Sequence, residues 1–179
     1  TGHSFEARLY AEDVPKGFLP ATGTLTHLHF PDGARADSGV RSGDTISPFY
    51  DPMIAKIIVH GPTRDVALAK LSAALQGTLV AGTVTNLGFL GALASHKSFA
   101  VGDVDTGLIA RDIDELTAVA AVVPAHWARA AMAVLGLDAP KVDAGFSLWA
   151  PLRQSVALVR EGEEITLQVE VLDADAQCW

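Results

Sequence analysis

Polar and apolar residues alternate with period two in several short stretches of the first eighty residues, and each stretch predicts a β-strand. From Phe5 to Tyr10, Phe5, Ala7 and Leu9 make one apolar face, while Glu6, Arg8 and Tyr10 share the other. Leu25 to Phe30 alternates again, with Leu25, His27 and His29 opposite Thr26, Leu28 and Phe30. Pro31-Asp32-Gly33 reads as a turn, so Ala34 to Ser38 is expected to return antiparallel to that strand. The most apolar run bounded by turn formers is Ser47 to Gly61, and it predicts the strand around which the rest is organised. There Ala55, Ile57 and Val59 form a wholly apolar side, and Ile54, Lys56, Ile58 and His60 form the other.

The period then changes to that of a helix. Val66, Leu68, Leu71, Ala74 and Leu75 make a stripe over residues 63–76, with Asp65 in the first turn and Gly77 at the end. A short strand at 78–81 follows, and Thr83 to Asn86 introduce a second helix ending near Ser95-His96. Strands, helix, strand, helix in that order predict an α+β fold, an antiparallel sheet packed with helices. Past Asp112 the chain turns rich in alanine and valine. Pro124 suits the first turn of a helix running to Leu135, with Gly136 as its stop. Two alternating segments, 146–156 and 165–171, are joined by EGEE and predict the first strands of a truncated β domain. Two strands alone would not bury Trp149, Leu152, Val156 and Leu158, so further chain is expected to complete it. The abrupt ends, Thr1 and Cys178-Trp179, fit a piece excised from a longer protein.

Composition narrows the function. With 49% hydrophobic residues, 179 residues suffice for one good core or two small ones. A net charge of −8 argues against nucleic acid as a partner. The single cysteine, Cys178, excludes an internal disulfide and any multi-cysteine metal site, which suits a reducing compartment. The apolar runs near 118–123 and 130–137 are too short to span a bilayer, and no signal series opens the chain, so no membrane association is expected.

Little local chemistry is written in motifs. His27 and His29 share a strand face, but no third ligand stands near them in sequence. The loop GDVDTG at 102–107 lacks the spacing of a calcium-binding loop. No glycine-rich phosphate loop, acidic magnesium cluster or lysine between methionines occurs. Lys56, in the central strand, reads as an ammonium extending off the sheet.

The segments GHSFEARLYAED, GFLPATGTLTHL, SGDTISPFYDPMIAKIIVHGPTRDVALAKL and VTNLGFL occur in this order and resemble the C-terminal subdomain of biotin carboxylase. The resemblance covers residues 2–111. SGVRSGDTISPFYDPMIAK and DTGLIARD look most like α subunits of acyl-CoA carboxylases, methylcrotonyl-CoA carboxylase first and propionyl-CoA carboxylase next. Residues 112–179 resemble the start of the domain that, in such subunits, links biotin carboxylase to the biotin carrier and contacts the carboxyltransferase β subunit. The resemblance implies domains at 1–111 and 112–179 and a biotin-dependent, ATP-driven ligase as the parent enzyme, with a role in leucine degradation. It also implies biotin, ATP and magnesium as cofactors of the parent, and a biotin carboxylase homodimer among its assemblies. The ATP-grasp and biotin carrier domains would be partners in the same subunit. The piece alone is expected to be inactive. The expected compartment is cytoplasmic in bacteria and the mitochondrial matrix in eukaryotes.

In this family the arginine matching Arg8 reaches the active site and steadies bicarbonate and the ureido oxygen of biotin. Arg8 is therefore the expected catalytic residue, since a permanently charged planar guanidinium stabilises an oxyanion without risking its own proton. Glu6 either orients Arg8 or is a solvated neighbour. Asp51 either steadies Arg8 across the sheet or caps the turn Tyr50-Asp51-Pro52. Arg35 matches a residue at the homodimer contact, although the aromatic that some relatives carry nearby is absent here. Acetyl-CoA, pyruvate and urea carboxylases are alternative parents, and a purely structural dimerisation and subunit-assembly module is the alternative from another class.

Overall fold

The computed structural model describes residues 1–119, 121–137, 153–160, 162–172 and 175–178. They fall into two compact units, residues 1–119 and 120–179. In the first, the strands are β1 (His3–Tyr10), β2 (Glu12–Asp13), β3 (Leu19–Pro20), β4 (Gly23–Thr24), β5 (His27–His29), β6 (Arg35–Ser38), β7 (Thr45–Ile46), β8 (Met53–Gly61) and β9 (Leu79–Ala81). The helices are α1 (Arg64–Gly77), α2 (Leu87–Ser95), α3 (Lys97–Val101), α4 (Leu108–Arg111) and α5 (Ile113–Leu116). This is the mixed α+β arrangement expected. The first unit continues past Arg111 because α5 packs Leu116 and Ile113 against Phe89 and Val14.

The main sheet has the order β1-β8-β6, with both pairings antiparallel. Its centre is the strand that the sequence marks as most apolar, and Ala55, Ile57 and Val59 are buried on one face as their alternation requires. Ala7 and Leu9 of β1 join that face, and α1 covers it with Ala67, Leu68, Leu71, Ala74 and Leu75. Each fully buried leucine or isoleucine contributes roughly 1.5–3 kcal/mol by leaving water. Helix α1 starts where Thr63 Oγ1 accepts from the Val66 N–H at 3.3 Å, an N-cap bond. Val66 itself lies outside the stripe and is exposed, and Ala67 takes its place.

One pairing departs from expectation. Strand β6 does not return along β5; it pairs with β8 in the register Arg35↔Ile58 and Asp37↔Lys56, while β5 pairs with β9. A strand as buried as β8 must satisfy its backbone groups on both edges, and β6 supplies the second edge. Residues 12–20, which hold two prolines and a glycine, close as the small antiparallel pair β2-β3.

The second unit holds α6 (Pro124–Val134) and a sheet of order β10-β11-β12, formed by Arg153–Arg160, Glu163–Leu172 and Asp175–Cys178. Pro124 begins the helix and Gly136, at φ +67°, follows its end. Ala131 packs with Val156, Leu167 and Val169 in a separate small core. Residues 146–152 of the expected strand segment 146–156 lie outside the described residues.

Gly82 makes the tightest approach in the first unit. Its φ is +105°, and a Cβ there would lie 1.9 Å from the carbonyl oxygen of Thr24. Gly91, inside α2, faces open space. Gly82→Ala is expected to destabilise the fold by more than about 2 kcal/mol, combining left-handed strain with a backbone clash. Gly91→Ala is expected to stabilise it by up to about 1 kcal/mol. Urea unfolding followed by circular dichroism measures both, and equal responses of the two variants would contradict the geometry.

Candidate functional site

Pairing in the main sheet gathers charge on the face opposite the α1 core. In an antiparallel sheet, directly paired residues point to the same side. One cross-strand row is therefore Arg8, Lys56 and Asp37, and the neighbouring row is Glu6, Ile58 and Arg35. The charged members are three cations and two anions, so this face has a cationic excess although the whole chain carries −8.

Arg8 opposite Lys56 is a like-charge pair, and the carboxylates on either side offset it. Arg8 Nε donates to Glu6 Oε1 at 3.2 Å. Hydrogen bonding to Glu6 first, and to Tyr10 second, raises the Arg8 pKa further above its ordinary value. The side chain remains 59% exposed, so its donors face solvent from a held base. Arg35 forms a two-pronged pair with Asp37, Nε to Oδ1 at 2.9 Å and a terminal nitrogen to Oδ2 at 2.8 Å. That pair, helped by the charge of Lys56, holds the Asp37 carboxyl below its usual range. Its stabilising contribution is complete above the unfolded value of about 3.9 and is lost as pH falls through the lower folded value.

Asp51 turns out to bond locally: its Oδ1 accepts from the Met53 N–H at 3.2 Å, the turn-capping alternative. It also bears on Glu12, a residue that motif reading passed over. Burial first, and the Asp51 charge second, push the Glu12 carboxyl up. The sign is opposite to that of Asp37, since stability is lost as pH rises through the raised Glu12 value. His27 and His29 are exposed, with ring centroids 6.5 Å apart. No group of three metal-ligating side chains occurs among the described residues. In the loop 102–107, Asp105 accepts from the Gly107 N–H at 2.7 Å and pairs with Arg111 at 3.3 Å, which accounts for its carboxylate. No described helix is long and apolar enough to cross a membrane.

Beside the charged face, a cavity of 340 Å³ lies along the edge of β1, lined by Glu6, Arg8, Tyr10 and Glu12 and by apolar side chains of α2 and α3. Asn86 also lines it, a buried residue that sequence reading took only as a helix start. Arg64 packs on two of the lining rings: its guanidinium lies 4.9 Å from the Phe5 ring centroid and 5.6 Å from that of Phe99, and it donates to the backbone carbonyls of Phe99 and Ala100.

Comparison with known proteins gives this geometry a family. A methylcrotonoyl-CoA carboxylase α subunit of Arabidopsis thaliana, named as mitochondrial, is 53% identical over 121 residues, covering 66% of this chain and 16% of its own length. The crystal structure of the Kluyveromyces lactis urea carboxylase matches at 48% identity and a TM-score of 0.59, over 60% of this chain and 10% of that one. The biotin carboxylase domain dimer of the Hydrogenobacter thermophilus 2-oxoglutarate carboxylase, in complex with MgADP, ADP and bicarbonate, matches at 31% identity and a TM-score of 0.64, over 67% of this chain and 27% of that one. The chain thus spans a small part of the length of each relative. Residues 6–111, which hold Arg8, Glu6 and the whole charged face, match the biotin carboxylase C-terminal domain, and the chain belongs to that family.

Proposed function

We propose that this chain is part of the biotin carboxylase portion of an acyl-CoA carboxylase α subunit, that of methylcrotonyl-CoA carboxylase, and that Arg8 is its contribution to the chemistry. The parent subunit would use ATP, magnesium and bicarbonate to carboxylate biotin, and a carboxyltransferase β subunit would pass the carboxyl group to the acyl-CoA in leucine degradation. The observation that carries the reading is Arg8, a solvent-facing guanidinium anchored by Glu6 on a face with excess positive charge in an otherwise acidic chain.

The donor set suits that role. Biotin brings a ureido group whose oxygen gains negative charge when the nitrogen loses its proton. Arg8 would hold that oxygen and an adjacent bicarbonate through its outward N–H groups, and Glu6 would fix the plane of the guanidinium. Lys56, in the same row, adds positive potential beside it. Residues that bind the ATP phosphates and magnesium would come from the ATP-grasp domain of the same subunit, and the carrier domain would deliver biotin. Residues 112–179 would begin the domain that meets the carboxyltransferase. The compartment would follow the source, the mitochondrial matrix in a eukaryote and the cytoplasm in a bacterium. The identity to urea carboxylase supports a second reading of the parent, with the same use of Arg8.

Arg35 and Asp37 lie on β6, an edge strand, and one solved relative is a domain dimer. The reading therefore places Arg35 at a contact between two biotin carboxylase units.

Two outcomes are expected. In the full-length subunit, Arg8→Gln should lower biotin-dependent ATP cleavage by a factor of roughly ten to a thousand, the range for one preorganised donor at a developing oxyanion. Thermal melting should be unchanged, because the exposed Arg8–Glu6 pair contributes little to stability. Full activity at unchanged stability would assign the region to assembly alone. Arg35→Glu places a second anion beside Asp37 and should weaken dimerisation at least about tenfold by sedimentation. An unaltered dimer would remove Arg35 from the contact.

A further inference from the structure

Strand β1 is bonded to β8 on one edge only, and that bonding becomes irregular where Arg8 needs it. The register shifts between Leu9 and Tyr10: Leu9 pairs with Ala55, Tyr10 with Met53, and Ile54 is skipped. The backbone of residues 8–10 is therefore less constrained by the sheet than the backbone before it.

Asn86 supplies the missing constraint from the other edge. Its side-chain Oδ1 accepts from the Tyr10 N–H at 2.9 Å, and its Nδ2 donates to the Arg8 carbonyl at 3.2 Å. Its own N–H donates to the Tyr10 carbonyl at 3.1 Å, and its carbonyl accepts from the Leu90 N–H at 2.9 Å, in the first turn of α2. Three of these bonds reach the peptide groups of Arg8 and Tyr10, the two residues whose side chains emerge on the charged face, and the fourth ties Asn86 to the start of the helix. Asn86 is 5% exposed, so its bonds are shielded from competing water.

We propose that Asn86 is a positioning residue for Arg8, fixing the Arg8 carbonyl and hence the direction in which its side chain leaves the strand. The inference rests on the reading of Arg8 given above. Asparagine meets the requirement because one short side chain must present a donor and an acceptor at once. Aspartate keeps the acceptor but sets an oxygen against the Arg8 carbonyl, alanine removes both groups, and glutamine is longer by a methylene.

The test is a double-mutant cycle in the full-length subunit, with biotin-dependent ATP cleavage, the KM for ATP and thermal melting measured on each protein. Asn86→Ala should lower kcat roughly ten- to a hundredfold with the KM for ATP unchanged, the scale of a misplacement near 1 Å. In the Arg8→Gln background the same substitution should cost less than about twofold, because the group it positions is gone. Asn86→Asp, which keeps one of the two side-chain bonds, provides the same comparison if the alanine variant does not fold. Equal losses in both backgrounds, or a loss confined to the KM for ATP, would overturn the positioning role and leave Arg8 in place. Full turnover by Arg8→Gln alone would overturn the reading of Arg8 and this inference with it.

Discussion

The register between β1 and β8 is the constraint on which the rest depends. Side chains alternate with a period of two, so a slip of one residue would bury Arg8 with the α1 core and send Ala7 or Leu9 to the charged face. The cost of burying a guanidinium without a partner, set against losing Leu9 from a fully buried position, makes that slip prohibitive. Hydrophobic burial on one face therefore determines the electrostatics of the other. Lys56 is subject to the same rule, since Ile57 on its far side is as buried as Leu9.

Much of this was legible from the residues. The alternation in Phe5 to Tyr10 and in Ala55 to Val59 assigns the two faces correctly, because strands with one dry side leave a strict two-residue pattern; Ile54, set by the same alternation beside Lys56, is instead fully buried, at the register shift that skips it. The α1 boundaries follow from Thr63 and Asp65, whose preferences are local. Residue patterns were less informative about neighbours. Nothing in Ala34 to Ser38 says that its partner is β8 across fourteen or more intervening residues rather than β5 across a tight turn, since both edges ask only for extended backbone. The turn at Pro31-Asp32-Gly33 looked sufficient for a hairpin, and the demand of a buried central strand for two neighbours outweighed it.

The site was legible in part. Arg8 and Glu6 stand two apart on one face, and that spacing brings them together in the structure. Lys56 and Asp37 join them only through pairing, which sequence spacing does not reveal. For Asp51 the residue pattern left two roles open, and its bond to the next turn residue but one is the local one. Asn86 carries a signal of its own in the sequence: a polar side chain in an apolar setting, VTNLGFL, where an unpaired amide would be costly and a partner must exist.

The guanidinium of Arg64 meets two aromatic rings and two backbone carbonyls, and among the described residues no carboxylate is bonded to it. A charge attracted by dipoles and ring quadrupoles feels a pull that fades with distance faster than the pull between two ions. Such a junction is short in range: it grips firmly at contact and exerts little force once parted. It is also indifferent to added salt, because dissolved ions screen long-range fields and leave a contact of this kind almost untouched. The end of α3 is thereby fastened to the start of β1 by something closer to a snap than a spring, holding equally well in dilute and in crowded ionic surroundings.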